Sequence, residues 1–295
     1  MLLRCLGVAA GGGYPQWNCA CGGCRAARER PERATTHAGL AVSATGRRWF
    51  LLNATPDVHH QIAADPNLHP GPGPRDTPVS GVLLTDAEFD HTIGLLVLRE
   101  GADLVVHGTP EVLGALETRF PVRDLLSDYA EIDWRPVEPG EPIELDERLR
   151  ATAFRTGGKP PRYVGASDRP NWEVGYRLED TATGGTAVYA PTVPRWDDAF
   201  AAQVADADCV FCDGTFHTDD EMSRQGTGRQ PGSSMGHMPV DGPDGSARKL
   251  AELPGRKIYV HVNNTNPILD EASAQRRRLQ RQGIEVGHAG LEVEL

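Results

Sequence analysis

The chain is poor in cysteine, aromatic residues and positive charge, and it has no long apolar run. Six cysteines among 295 residues are too few to staple a small secreted scaffold, so their places are the core or a metal. Lysine and arginine total 30 against 41 aspartates and glutamates, a net charge of −11. That balance disfavours nucleic acid and anionic membrane surfaces as partners. No stretch reaches the ~20 apolar residues of a membrane helix. Arg4 and the Gly11-Gly12-Gly13 run give the start of the sequence the character of neither signal peptide nor anchor, so the expectation is a cytoplasmic protein. No Lys-Ser/Thr follows those glycines and no G-x-G-x-x-G precedes an acid, which argues against nucleotide binding.

With 39% hydrophobic residues the chain can still bury a sizeable core. Glycine and proline fall as punctuation between short β-like runs. The pattern predicts strands at Leu2–Val8, Leu40–Val42, Trp49–Asn53, Gly81–Thr85, Asp103–His107, Ile132–Trp134, Leu149–Phe154, Trp172–Leu178, Ala187–Ala190, Cys209–Cys212 and Lys257–Val262. Helices are predicted at Pro56–Ala64, Thr92–Leu98, Pro110–Arg119, Asp197–Ala205, Ser246–Ala251 and Asp270–Gln282, with one short closing strand within Gly283–Val293. Runs of strands broken by helices in each half suit two sheets packed face to face with helices outside, in an α/β (α+β) class, better than one doubly wound sheet. Residues 1–295 are expected to form one domain.

The segment Thr85-Asp86-Ala87-Glu88-Phe89-Asp90-His91 leaves an apolar strand and enters a helix. Asp86, Glu88 and Asp90 alternate and would face one side of an extended chain, with His91 beside them. Carboxylates so crowded call for a cation. His261 ends a second β-branched and aromatic run, followed by Asn263 and Asn264. Asp90, His91 and His261 would make two imidazoles and one carboxylate with open positions, which suits non-haem Fe(II), although zinc or another divalent ion is an alternative. Asp86 and Glu88 are either further ligands or orient His91. Asp213 at a strand end and His237 in a glycine-flanked loop are candidate catalytic groups that move protons. Arg276-Arg277-Arg278 reads as a solvated helix face.

Cys19, Cys21 and Cys24 offer three thiolates in one turn at residues 19–24, with the C-x-x-C spacing that tetrahedral zinc favours. A fourth ligand is missing from the motif. His37 is the nearest downstream candidate, beyond an Arg-rich helix-like stretch.

Taken in order, the clusters resemble the metallo-β-lactamase superfamily and its H-x-H-x-D-H string. Asp86 and Glu88 stand where that string has its leading histidines, while Asp90-His91 keeps its end. A longer resemblance runs nearly end to end. It passes through Ala9–Cys19, Asn53–Asp57, Leu84–Thr92, Asp213–Phe216, Asp219–Met222, Ser234–His237 and Asn263–Leu269, strings similar to the family of coenzyme pyrroloquinoline quinone (PQQ) biosynthesis protein B. The resemblance implies a metallo-β-lactamase-like αββα sandwich and a metal centre at Asp90, His91 and His261. It also implies a structural zinc at Cys19, Cys21 and Cys24. The activity it implies is an iron-dependent hydroxylase that oxidises the tyrosine ring of a small, peptide-derived, cross-linked Glu-Tyr precursor with O₂. The alternatives are a transport or carrier role for PQQ or its precursor, and a hydrolase of the superfamily's usual kind.

Overall fold

The computed structural model describes residues 1–100 and 103–295. Short β-branched and aromatic runs form β1 (Leu2–Gly7), β2 (Gly39–Ser43), β3 (Trp49–Leu52), β4 (Val79–Leu83), β5 (Leu104–Gly108) and β6 (Ile132–Pro136). They continue as β7 (Pro142–Glu144), β8 (Leu149–Arg155), β9 (Val174–Asp180), β10 (Thr186–Ala190), β11 (Cys209–Asp213), β12 (Arg256–Val260), β13 (Ile284–Val286) and β14 (Glu292–Glu294). Two sheets result, ordered β14-β1-β2-β3-β4-β5-β6 and β13-β12-β11-β10-β9-β8-β7.

The layers follow from which faces are apolar. Leu3, Val42, Leu52 and Leu83 of the first sheet share one core with Leu149, Tyr176, Tyr189, Phe211 and Ile258 of the second. The outer face of the first sheet, with Ala41, Leu51, Val82 and Val106, is covered by Val58, Val112, Leu116 and Leu126. These come from the helices Val58–Ala64, Pro110–Thr118 and Val122–Ser127. Val188, Val210 and Tyr259 are covered in the same way by Phe200, Leu250 and Leu279 of the helices Asp198–Val204, Ser246–Leu250 and Ala274–Arg281. The arrangement is therefore the expected helix–sheet–sheet–helix sandwich.

Several boundaries differ from the sequence reading. The closing strand is two strands: β13 pairs parallel with β12, and β14 turns back to pair antiparallel with β1. The expected helix Thr92–Leu98 is one α-helical turn, Phe89–Thr92, followed by the 3₁₀ segment Ile93–Glu100. Gly94 lets this segment press against the backbone of Ala54 and Thr55, where a side chain would strike. The last helix starts at Ala274, not Asp270, because Ser273 caps it through the Arg276 N–H. Strand β9 starts at Val174, two residues later than expected.

At one end the two sheets are tied directly. Val262 N–H donates to Val8 O and Ala10 N–H to Val262 O, Val174 N–H donates to Thr85 O, and Tyr176 Oη donates to Leu84 O. This is the carboxyl end of the parallel strands β4, β11 and β12, where open α/β sheets place their ligands. Among the described residues, no helix is long and apolar enough to cross a membrane.

Candidate metal centre

Every expected active-site residue comes to that tied end. Asp86, Glu88, Asp90 and His91 follow β4, Asp213 ends β11, His261 follows β12, and His237 enters from a loop. A cavity of about 220 Å³ is lined by Asp86, Glu88, Asp90, His91, Glu173, His237 and His261, together with Gly11, Thr215, Phe216 and Met235. A larger cleft of about 720 Å³ beside Arg123 and Trp134 contains no imidazole.

The imidazoles are held by their Nδ1 atoms. His91 Nδ1 donates to Asp86 Oδ2 at 2.7 Å, and that oxygen also accepts from Thr85 Oγ1 at 2.8 Å. His261 Nδ1 lies 2.8 Å from Thr215 Oγ1, whose own hydrogen goes to Asp213 Oδ1 at 2.6 Å. The threonine therefore accepts, and His261 carries its proton on Nδ1. His237 Nδ1 lies 2.8 Å from Asp213 Oδ2. In each case the second carboxylate or hydroxyl fixes the ring and leaves Nε2 as the available nitrogen.

That arrangement leaves acceptors facing one another. His261 Nε2 is 3.3 Å from Asp90 Oδ2, His91 Nε2 is 3.8 Å from the same oxygen, and buried His91 Nε2 has no hydrogen-bond partner. The potential ligand atoms of Asp90, His91 and His261 lie within 4.8 Å of one another. Two lone pairs and a carboxylate converging on an unpartnered buried point are what a divalent cation requires, so the donors fit one. Without a cation, protons take its place. Burial opposes the His91 imidazolium, yet Asp86 and Asp90 raise its pKa to about 9. Burial likewise opposes the Asp90 carboxylate, but His91 and His261 hold its pKa well below the usual range. Burial, then Asp86 and Asp90, push Glu88 up to about 7.

His261 also sits at φ 55°, a left-handed backbone that is uncommon outside glycine and found where a site over-determines its residues. A side chain on Gly11 would crowd the Asp90 carboxylate. Asp213 does not line the cavity. It is fully buried, and its two oxygens accept from Val193 N–H, Thr215 and His237. It stands behind His237 and Thr215 as their anchor.

The cysteines form a second, separate cluster, again with ligand atoms within 4.8 Å. Cys21 caps the helix Gly22–Glu29 and accepts from Cys24 N–H. Burial opposes its thiolate, but that N–H and the neighbouring thiols lower its pKa, whereas burial raises Cys24 to about 11. His37 does not join them. Its Nδ1 pairs instead with Asp57 Oδ2 at 2.6 Å, and Asp57 also accepts from the His37 backbone N–H. The group that reaches the thiols is Asn264, whose Nδ2 lies 3.1, 3.7 and 3.3 Å from the sulfurs of Cys19, Cys21 and Cys24. The sequence held no sign of this contact beyond an amide three residues after His261. Glu173 has no motif of its own, and Thr215 lies within the Asp213–Phe216 string with no role read for it.

Comparison with known proteins shows the family and the fold. A model of the Beta-lactamase superfamily domain matches residues 48–262. The chain is 41% identical over 303 residues to coenzyme PQQ synthesis protein B of Klebsiella pneumoniae, covering all of this chain and 98% of that protein. It is 42% identical over 304 residues to the protein of the same name from Pseudomonas paraeruginosa, covering both in full. Among solved structures, zinc-bound PqqB from Methylobacterium extorquens superposes with a TM-score of 0.92 at 36% identity, over the whole of both chains.

Proposed function

Because the chain belongs to the coenzyme PQQ synthesis protein B family of the beta-lactamase superfamily, we propose that it is a cytoplasmic, metal-dependent enzyme of PQQ synthesis that hydroxylates the tyrosine ring of a small cross-linked Glu-Tyr precursor. The observation that carries this reading is the mixed donor set of Asp90, His91 and His261, facing one cavity with both imidazoles fixed through Nδ1. Asp86 and Glu88 replace the leading histidines that hydrolytic members of the superfamily use, and Asp86 is occupied in orienting His91. Two-zinc hydrolysis is disfavoured on that account.

Asp90, His91 and His261 would hold Fe(II), which when bound supplies the positions where O₂ and the phenol oxygen meet. The protein's part is positional and protonic. Asp86 and Thr215 keep the two imidazoles aimed. His237, anchored by Asp213, presents its other nitrogen to the cavity, where it takes and returns a proton. One oxygen atom of O₂ enters a ring C–H bond. The other leaves as water with two protons and two electrons, which an external reductant supplies. Cys19, Cys21 and Cys24 are assigned to a structural zinc.

The test is to purify the protein without oxygen, load it with Fe(II), and add air, ascorbate and a cross-linked Glu-Tyr dipeptide, with Zn(II) and His91→Ala controls. The expected result is an iron- and oxygen-dependent mass gain of one oxygen atom, lost in the variant. Bound but unaltered dipeptide would favour a carrier instead, and cleaved dipeptide a hydrolase.

A further inference from the structure

One group in the cavity has no task in that chemistry. Glu173 lies just before β9 and is 7% exposed, lines the same cavity as His91 and His237, and is not among the converging ligand atoms. Its Oε2 has no hydrogen-bond partner. Buried carboxyl oxygens are nearly always paired, because an unpaired one carries its full desolvation cost.

The surroundings explain why no side chain pairs with it. The nearby Lys159 turns its ammonium to the carbonyl of Ser234, and Arg195 is engaged with Asp197. Backbone closes in on two sides. A side chain at Gly158 would overlap Glu173 Oε2, and one at Gly236, in a left-handed turn at φ 96°, would touch Oε1. The Lys159–Ser234 contact joins the two loops that carry these glycines. The Oε2 edge is thus walled by main chain at Gly158 and beside the Lys159 backbone N–H, while the residue lines the cavity on its other side and Asp86 is already satisfied by His91 and Thr85.

We infer that Glu173 is a specificity residue that receives a primary ammonium group of an amino-acid substrate, an inference that rests on the substrate class proposed above. A compact ammonium carries three donors and needs no flat clearance of the kind a guanidinium requires. An α-amino group on a Glu-Tyr-derived molecule whose ring lies at the metal would meet this requirement, and a neutral or N-blocked analogue would leave the carboxyl unpaired. Such unpaired buried groups give strong discrimination.

The experiment is anaerobic calorimetry on the Fe(II)-loaded protein and its isosteric Glu173→Gln variant. The ligands are the cross-linked Glu-Tyr dipeptide, its two mono-N-acetyl forms, and the pair tyramine and N-acetyltyramine. The expected result is that one acetylation weakens dipeptide binding to the wild type at least about tenfold. Glu173→Gln should weaken it by a similar factor, and the two changes together should cost little more than either alone. In turnover, KM should rise while kcat changes little. Equal affinity for free and acetylated dipeptide, or loss of iron from the variant, would overturn the assignment. If the wild type ignores the dipeptide but prefers tyramine to N-acetyltyramine, and the variant loses that preference, the ammonium site stands and the proposed substrate falls. No preference in either pair removes the ammonium site.

Discussion

Cys19, Cys21 and Cys24 share a single turn, whereas Asp90 and His261 are 171 positions apart, and the two clusters differ in every respect that follows. The thiols are soft donors supported by local backbone N–H groups and met on one side by the Asn264 amide, with Cys19 and Cys21 half-buried at the edge of a cleft. The imidazoles and carboxylate are harder donors, the two imidazoles braced from behind by Asp86 and Thr215 and all three opening onto a cavity. A thiolate set built within one turn suits a metal that only holds structure. An open set, assembled by two sheets and braced by Asp86 and Thr215, suits one that must accept and release reactants.

The contrast predicts opposite losses. His91→Ala should lower turnover by at least about 10³-fold while leaving the cysteine-bound metal unchanged, and should lower the unfolding midpoint because buried Asp86 loses its imidazole partner. Cys24→Ser should lose its own metal equivalent and destabilise the fold by something on the order of 4 kcal/mol. Metal analysis, turnover and urea melts on both variants decide the matter. If either variant empties both sites, the two clusters are not independent units. A smaller effect is expected from Asp86→Asn, which keeps the shape but weakens the hold on His91. Affinity for the cavity metal should fall about 10- to 100-fold in chelator competition, with the cysteine metal unaffected.

The smallest effect concerns His37, which belongs to neither cluster. Its hydrogen bond outweighs burial and lowers the Asp57 pKa. A lowered carboxyl stabilises the fold above the ordinary carboxylate pKa, and the contribution is lost as pH falls through the lowered value. The Asp57 side chain is 31% exposed, so solvent screening limits the gain to less than about 1 kcal/mol. In urea melts from about pH 7 down to pH 3, Asp57→Asn should lose less stability than the wild type. A steeper loss in the variant would contradict the pairing.

Much of this is legible in the amino-acid sequence alone. The run Asp86 to His91 and the strand-end His261 announce themselves because ligands leaving β-strands sit in short polar strings after apolar runs. The layered fold was legible because its sheets bury continuous apolar stretches. The cysteine turn was legible from spacing alone, but its fourth neighbour was not. His37 is close in sequence, yet Asp57 captures it, and Asn264 arrives through pairing of Val262 with Val8, which no local pattern encodes. Glu173 was invisible for the same reason. What singles it out is the absence of a partner, a property of the three-dimensional surroundings. The splitting of the last strand into β13 and β14 reflects a turn that sends adjacent residues to different sheets.

The bonds between Val8, Ala10 and Val262 join the first and last parts of the chain at the site, and this sets an order of events during synthesis. While the ribosome is still translating the middle of the chain, the thiols of the cysteine turn are already available. Asp90 and His91 must wait for His261, and so must the thiols for Asn264. Neither centre can be completed on a nascent chain that stops short of β12. Partial products of translation or proteolysis would therefore lack both a finished cavity metal site and a finished cysteine cluster.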